Sequence, residues 1–205
     1  MNRWLVVMAR EPRAGAVKTR LAGDIGVVRA TAFYRSSLAN LLRRVGKARR
    51  WSTVIAVTPH TALLSPAFPE SVSRTAQGSG DLGARMQRMF DGLPPGPAVI
   101  VGTDIPEITT GHIDAAFRAL GNNDAVVGPG DDGGYWLIGL RRSPKILSVF
   151  DKIRWSSPHT LDDTLANLEG ARVAKLDLLR DVDDGPAWRS LKDHASRTVA
   201  PVSRG

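Results

Sequence analysis

The sequence predicts an α/β domain, a sheet sandwiched between helices. Three observations lead there. Short apolar, β-branched runs alternate with stretches whose apolar residues recur every three or four positions. The runs at 4–9 and 98–101 are continuously apolar, as strands covered on both faces are. Over 205 residues there is no internal repeat, low-complexity tract or linker long enough to divide the chain. Residues 1–205 therefore read as one domain, with the tail after about 198 expected to be loose.

The elements follow in order. The opening strand at 4–9 leads into a loop rich in Arg, Gly and Pro, from 10 to about 23. Tyr34, Leu38, Leu41, Leu42 and Val45 mark one face of a helix that Gly46 ends. A strand at 53–58 is stopped by Pro59, the segment 60–69 reads as irregular, and 72–75 as a short strand. A helix at 80–90 is entered through a glycine loop, and a strand at 98–101 ends just before Asp104. Thr109 or Thr110 caps a helix running to Leu120 and closed by Gly121. Strands at 125–127 and 135–140 precede a helix opened by Ser157-Pro158 and carrying Leu161, Leu165 and Leu168. A last strand at 173–176, an acidic loop and a helix around 188–194 complete the chain.

Composition narrows the function. No apolar run approaches the roughly 20 residues of a membrane span, and no secretory signal is evident. Cysteine is absent, which excludes disulfides, thiolate metal sites and thiol catalysis, and fits a cytoplasmic location. A formal charge of +8 favours phosphorylated ligands or polyanions. The basic residues are nevertheless scattered in short groups, and the few aromatics do not interleave with them as a base-stacking platform requires. Specific nucleic-acid binding is not expected.

Three loops sit where ligands collect in open α/β sheets, beyond the carboxyl ends of strands. The first, from Ala9 to Leu21, holds Arg10, Arg13, Lys18 and Arg20 with Gly15 for close backbone approach, a chemistry suited to a di- or triphosphate. Val17 stands where a P-loop needs glycine, so this is a different phosphate loop. The second, Gln77-Gly78-Ser79-Gly80-Asp81-Leu82-Gly83, matches G-x-G-x-x-G but does not follow the first strand, which argues against a dinucleotide fingerprint. It is either a helix N-terminus whose amides face a nucleotide or a structural turn into a helix. The third, Gly128-Pro129-Gly130-Asp131-Asp132-Gly133-Gly134-Tyr135-Trp136, precedes a strand, and its paired carboxylates suit acceptor hydroxyls or a cation. A plain turn in which Asp tolerates the backbone is the alternative.

Two acidic positions complete the candidate set. Asp104, at a strand end, is the first choice for a cation ligand, because magnesium usually takes one or two carboxylates plus substrate phosphates. Near the C-terminus Asp181 and Asp183 share a face of an extended segment; Asp183 is preferred as the second ligand, and Asp184 caps the following helix. The four histidines show no ligand spacing and read as surface residues. Trp136 and Trp155 either wall a substrate pocket or pack in the core.

Together Lys18-Thr19-Arg20-Leu21, Gly102-Thr103-Asp104-Ile105-Pro106, the loop from Gly128 to Tyr135 and Asp181-Val182-Asp183 resemble the nucleotide-diphospho-sugar transferases of the glycosyltransferase-A fold. More narrowly the chain looks like a bacterial glycosyltransferase-type group similar to phospholactate guanylyltransferases and molybdenum-cofactor nucleotidyltransferases. The resemblance runs from about residue 4 to 188. It implies a three-layer sandwich around a mixed, mostly parallel seven-stranded sheet, with the nucleotide in the N-terminal half and the acceptor in the C-terminal half.

On this resemblance the nucleotide site comprises Ala9, Arg10, Arg13, Gly15, Lys18, Arg20, Gln77, Gly78, Gly80 and Gly83. The acceptor site comprises Asp131, Asp132, Gly133, Gly134, Tyr135 and Trp155. Lys18, Asp104 and Asp132 carry the reaction, and Asp104 with Asp183 holds Mg²⁺ or Mn²⁺. The expected function is a cation-dependent transferase using a nucleoside triphosphate or nucleotide sugar and a small-molecule acceptor, with a homodimer as an open option. Thr103 and Ile105 flank a single Asp104 where glycosyltransferases carry D-x-D, so glycosyl and nucleotidyl transfer both stay open. The rival reading is a regulatory protein that binds a nucleotide without turnover.

Overall fold

The computed structural model describes residues 2–46 and 48–198, with side chains described as far as residue 193. Seven strands form one sheet: β1 (Trp4–Arg10), β2 (Ser52–Thr58), β3 (Ser73–Ala76), β4 (Ala98–Val101), β5 (Ala125–Pro129), β6 (Tyr135–Leu140) and β7 (Val173–Lys175). Their order is β3-β2-β1-β4-β6-β5-β7. Every neighbouring pair is parallel except those made by β6, which lies antiparallel between β4 and β5. The expected mixed, mostly parallel sheet is thus the observed one. The tail after 198 lies outside the described residues, as does the side chain of His194.

Continuous apolar strands follow from helices on both faces. Leu5, Val7, Ile55, Val57, Val99 and Val101 point to one face and meet Tyr34, Leu38 and Leu41 of α2 (Val27–Val45) and Ile113, Ala116 and Phe117 of α4 (Thr110–Ala119). Val6, Ala56, Ala98, Ile100, Ile138 and Leu140 point to the other. There they meet Met86, Met89 and Phe90 of α3 (Leu82–Gly92) and, from α5 (Thr160–Ala166), Leu161 and Leu165.

The caps of α4 and α6 (Gly185–Thr198) agree with the sequence patterns. The helix expected to open at Ser157-Pro158 and to carry Leu168, by contrast, runs only over Thr160–Ala166, with His159 at its N-cap. Thr109 Oγ1 accepts from His112 N at 3.3 Å while His112 Nδ1 accepts from Thr109 N at 3.2 Å, a reciprocal capping box that starts α4. Asp81 accepts from Ala84 N at 2.8 Å and starts α3. Asp184 accepts from Ala187 N at 2.9 Å and starts α6.

Two loop segments also depart from expectation. Part of the segment read as a loop from 10 to 23 forms α1 (Thr19–Ile25). Seven residues are too few to show a periodic face or to be stable alone, so tertiary contacts hold this helix. Leu21 is fully buried, and Asp24 Oδ2 accepts from Gly185 N at 2.7 Å. The segment 60–69, read as irregular, holds a 3-10 turn at His60–Leu64. Among the described residues no helix is long and apolar enough to cross a membrane.

Phe90 is fully buried between α3 and the sheet and stacks near Phe150, with ring centroids 6.3 Å apart. Phe90→Ala is expected to lower unfolding free energy by about 3–5 kcal/mol. Denaturant titration checks this; a loss under about 1 kcal/mol would show that this face of the sheet repacks freely.

Candidate functional site

The strand order reverses direction at β1 and β4, and a cleft of about 630 Å³ opens at the carboxyl ends of these strands. Its lining includes Arg10, Lys18, Arg20, Tyr34, Gln77, Arg85, Asp104, Tyr135, Trp136 and Asp183.

Lys18 is the centre of this cleft. It caps α1 in a left-handed conformation (φ 48°, ψ 47°), which is costly for a residue with a Cβ. The turn directs its side chain inward, where it is only 5% exposed. Nζ donates to Asp104 Oδ1 at 2.8 Å and, more closely still, to Asp183 Oδ1. One ammonium thereby joins segments 165 residues apart. The acidic segment is held in place by Val182 N, which donates to Asp104 O at 3.2 Å.

The electrostatics follow from that arrangement. Burial disfavours the charged ammonium, but Asp104 and Asp183 outweigh it and raise the Lys18 pKa. Burial likewise opposes ionisation of Asp183, yet the charge and hydrogen bond of Lys18 hold its carboxyl below the usual range. At Asp181 the Lys18 charge acts in the same direction but is outweighed. Burial, the Asp183 charge and a hydrogen bond to Asp183 push it up to about 7.

A second tier of contacts sets the strand ends. The Tyr34 hydroxyl donates to Arg10 O at 3.0 Å and accepts from Arg10 N at 2.9 Å and Thr103 Oγ1 at 3.3 Å. It ties the end of β1 to the loop that carries Asp104, and burial keeps it protonated by raising its pKa. Gln77 Nε2 donates to Ala9 O at 3.2 Å and Ala56 O at 2.9 Å, so its amide fastens β1 to β2.

Of the residues expected from the sequence, the structure brings Ala9, Arg10, Lys18, Arg20, Gln77, Asp104, Asp183 and Tyr135 to one cleft. The others lie elsewhere for identifiable reasons. Arg13 pairs with Glu11 at 2.5 Å, and Gly15 lies outside the cleft lining in the same turn. Arg88 donates to Gln77 O and Ser79 O, packing across Gly78, while Gly80 accepts from Arg85 Nε at 2.9 Å. Gly83 is buried where a Cβ would stand 2.7 Å from Trp155 and 2.8 Å from Phe150, so it allows close packing of α3 and keeps Trp155 out of the cleft. Asp132 accepts from Gly134 N at 2.8 Å within its own turn. Asp131 faces Arg180 at 3.8 Å. Gly133, at φ +83°, lies so close to Pro158 that a Cβ would stand 2.3 Å from its backbone, and Gly134 lies in the same turn. Asp132 still lies near enough for its charge to raise the Asp181 pKa.

The cleft also holds residues that the sequence reading did not select. Arg85 lines it from the first turn of α3, fixed by one arm on Gly80 O. Ser156 lines it in a left-handed conformation (φ 55°), and Tyr34, Thr103 and Met86 complete the wall. Arg85 was legible in principle: a helix entered through a glycine loop at a strand end turns its first-turn side chains toward the same ligand.

The fold is that of the nucleotide-diphospho-sugar transferases, with the glycosyltransferase-A type of sheet. Within it the chain belongs to the family DUF2064, described as uncharacterized proteins conserved in bacteria, whose model matches residues 41–157. No protein of curated function matches by sequence. Among solved structures, the chain is similar to a proposed nucleotide-diphospho-sugar transferase from Desulfovibrio desulfuricans G20. Identity is 27%, coverage 99% of this chain and 90% of that one, and TM-score 0.86. It shares its fold with CMP:2-keto-3-deoxy-manno-octonic acid synthetase complexed with CTP, at 10% identity, coverage of 97% and 100%, and TM-score 0.61. It also shares its fold with the manganese complex of Rv0371c from Mycobacterium tuberculosis H37Rv, at 14% identity, coverage of 94% and 99%, and TM-score 0.58.

Asp181 yields a pH test in cation-free buffer. A carboxyl held at about 7 when folded, against 3.8 ordinarily, binds more protons in the folded state between those values. Its contribution to stability therefore falls as pH rises from about 4 to about 7. Asp181→Asn, which keeps a hydrogen-bonding side chain without the acid, is expected to remove that decline relative to the parent. Parallel stability curves for parent and variant across this range, measured by denaturant titration, would contradict the assignment.

Proposed function

We propose that this chain is a transferase that takes a nucleoside-phosphate donor, a triphosphate or a nucleotide sugar, and passes part of it to a small acceptor with the help of a divalent cation. The observation that carries the proposal is the buried Lys18 ammonium set between Asp104 and Asp183 in the cleft at the strand-order reversal. The names of the similar solved structures support it: one is bound to CTP, one to manganese, and one is a proposed transferase of nucleotide sugars.

The donor set fits magnesium or manganese. Both ions prefer carboxylate oxygen, and two carboxylates plus substrate phosphates make a usual magnesium site. Asp104 and Asp183 already converge on a positive charge, that of Lys18. They would hold the ion, which, when bound, neutralises charge building on the departing phosphate group.

The chain's own residues supply the rest. Lys18, Arg20 and Arg85 line the cleft as cations for the phosphates, acting as charges fixed before the reaction begins. Met8, Leu82, Met86 and Ile138 give an apolar wall for the base. Tyr135, Trp136 and Ser156 form the acceptor end. Nucleotidyl transfer breaks the bond between the α- and β-phosphates as the acceptor attacks the α-phosphorus. Glycosyl transfer breaks the bond at the anomeric carbon and releases a nucleoside diphosphate.

A thermal-shift screen of nucleoside triphosphates and nucleotide sugars with Mn²⁺ is expected to show selective stabilisation, and product analysis then separates the two reactions. Released pyrophosphate identifies nucleotidyl transfer, and released nucleoside diphosphate identifies glycosyl transfer. Asp104→Asn is expected to lower turnover about 100-fold or more with an unchanged circular dichroism spectrum. Parent-like turnover in that variant, or tight binding with no product under any condition, would end the proposal.

A further inference from the structure

The ammonium of Lys18 occupies the point on which the two carboxylates converge. It donates to Asp104 Oδ1 and to Asp183 Oδ1. A divalent ion drawn to the same pair meets the Lys18 charge at the point where the two carboxylates converge. We infer that Lys18 is a resident counter-ion that competes with the divalent cation for Asp104 and Asp183, so that the cation enters together with a polyphosphate and not before it.

The energetics support competition. Removing Lys18 from both carboxylates would leave an ammonium 5% exposed without an acceptor, and an uncompensated buried charge is strongly destabilising. The side chain is constrained at its base. It leaves a left-handed backbone position between the buried Val17 and the first turn of α1. The positive charge of Arg20, which also acts on Asp183, adds repulsion against a bare cation. A polyphosphate changes the balance by offering anionic oxygens to Lys18 while the carboxylates turn to the ion. Each ligand thus lowers the cost of binding the other, which is a coupling free energy in the ordinary sense. The competition itself stands on the three side chains alone; the polyphosphate half rests on the function proposed above.

The experiment measures Mn²⁺ binding to the full chain, without nucleotide, by the electron paramagnetic resonance of the free ion. K18M is expected to bind Mn²⁺ about tenfold or more tightly than the parent, in the range of ordinary site coupling. K18Q, neutral but still a hydrogen-bond donor, is expected to gain as well. K18M/D104N is expected to lose the gain, which locates the ion at this pair. Unchanged or weaker Mn²⁺ affinity in both K18M and K18Q, with thermal transitions showing folded protein, would overturn the inference.

A second arm adds pyrophosphate, corrected for its complex with Mn²⁺ in solution. It is expected to tighten Mn²⁺ binding by the parent more than by K18M. If K18M gains affinity but pyrophosphate leaves the parent unchanged, the competition stands and the nucleotide reading of the cleft falls.

Discussion

A single ammonium, buried and shared by two carboxylates from distant parts of the chain, is the constraint on which the rest of this molecule depends. Lys18 comes from the turn after β1, Asp104 from the turn after β4 and Asp183 from the segment before α6. The three meet only when the parallel core, the acidic segment and the short helix α1 are all in place. Such a cluster is a poor device for stability, because desolvating the charges offsets most of their attraction. A cluster that contributes little to stability and yet organises three segments is best understood through what it holds ready for a ligand.

The sheet explains why those segments reach one place. β1 and β4 are parallel neighbours, so their carboxyl ends lie side by side. β6 runs antiparallel between β4 and β5, which brings its first residues, Tyr135 and Trp136, to the edge where β4 finishes. One side of the cleft is therefore built from a strand start and the other from strand finishes. Tyr34 and Gln77 then fix the strand ends against each other through main-chain groups. Both act through position: Tyr34 sets where Arg10 and Thr103 stand, and Gln77 holds the end of β1 against β2.

Much of this was legible in the residues, and the limits have physical causes. The strands 98–101 and 135–140 read to the residue, because continuous apolar character and β-branching are local signals. α1 did not, because a seven-residue helix held by Leu21 and Asp24 through tertiary contacts has no periodicity to display. In the site, Lys18, Asp104 and Asp183 could be selected as types placed after strands, but that one ammonium would bridge both carboxylates depends on a left-handed backbone at residue 18. Gly83 and Trp155 show the converse failure. A glycine three places after another looks like a phosphate loop, whereas here its missing Cβ admits the Trp155 ring and the Phe150 side chain. Spacing alone does not distinguish a backbone that approaches a ligand from one that approaches a side chain.

The basic excess of the chain has an explanation in the same physical terms. Several arginines are engaged with main-chain carbonyls of loops in other segments. Arg74 donates to Leu63 O, Ser65 O and Phe68 O. Arg142 donates to Leu93 O, Pro94 O and Gly96 O, and Arg88 to Gln77 O and Ser79 O. A planar guanidinium with five donors gathers two or three carbonyls that no strand or helix satisfies, which an ammonium on a flexible stem does less well. Loops without regular hydrogen bonding thus acquire fixed shapes, and positive charge accumulates as a consequence. A formal +8 therefore does not by itself call for a long polyanionic partner. The basic residues that line the cleft are a small set, Arg10, Lys18, Arg20 and Arg85.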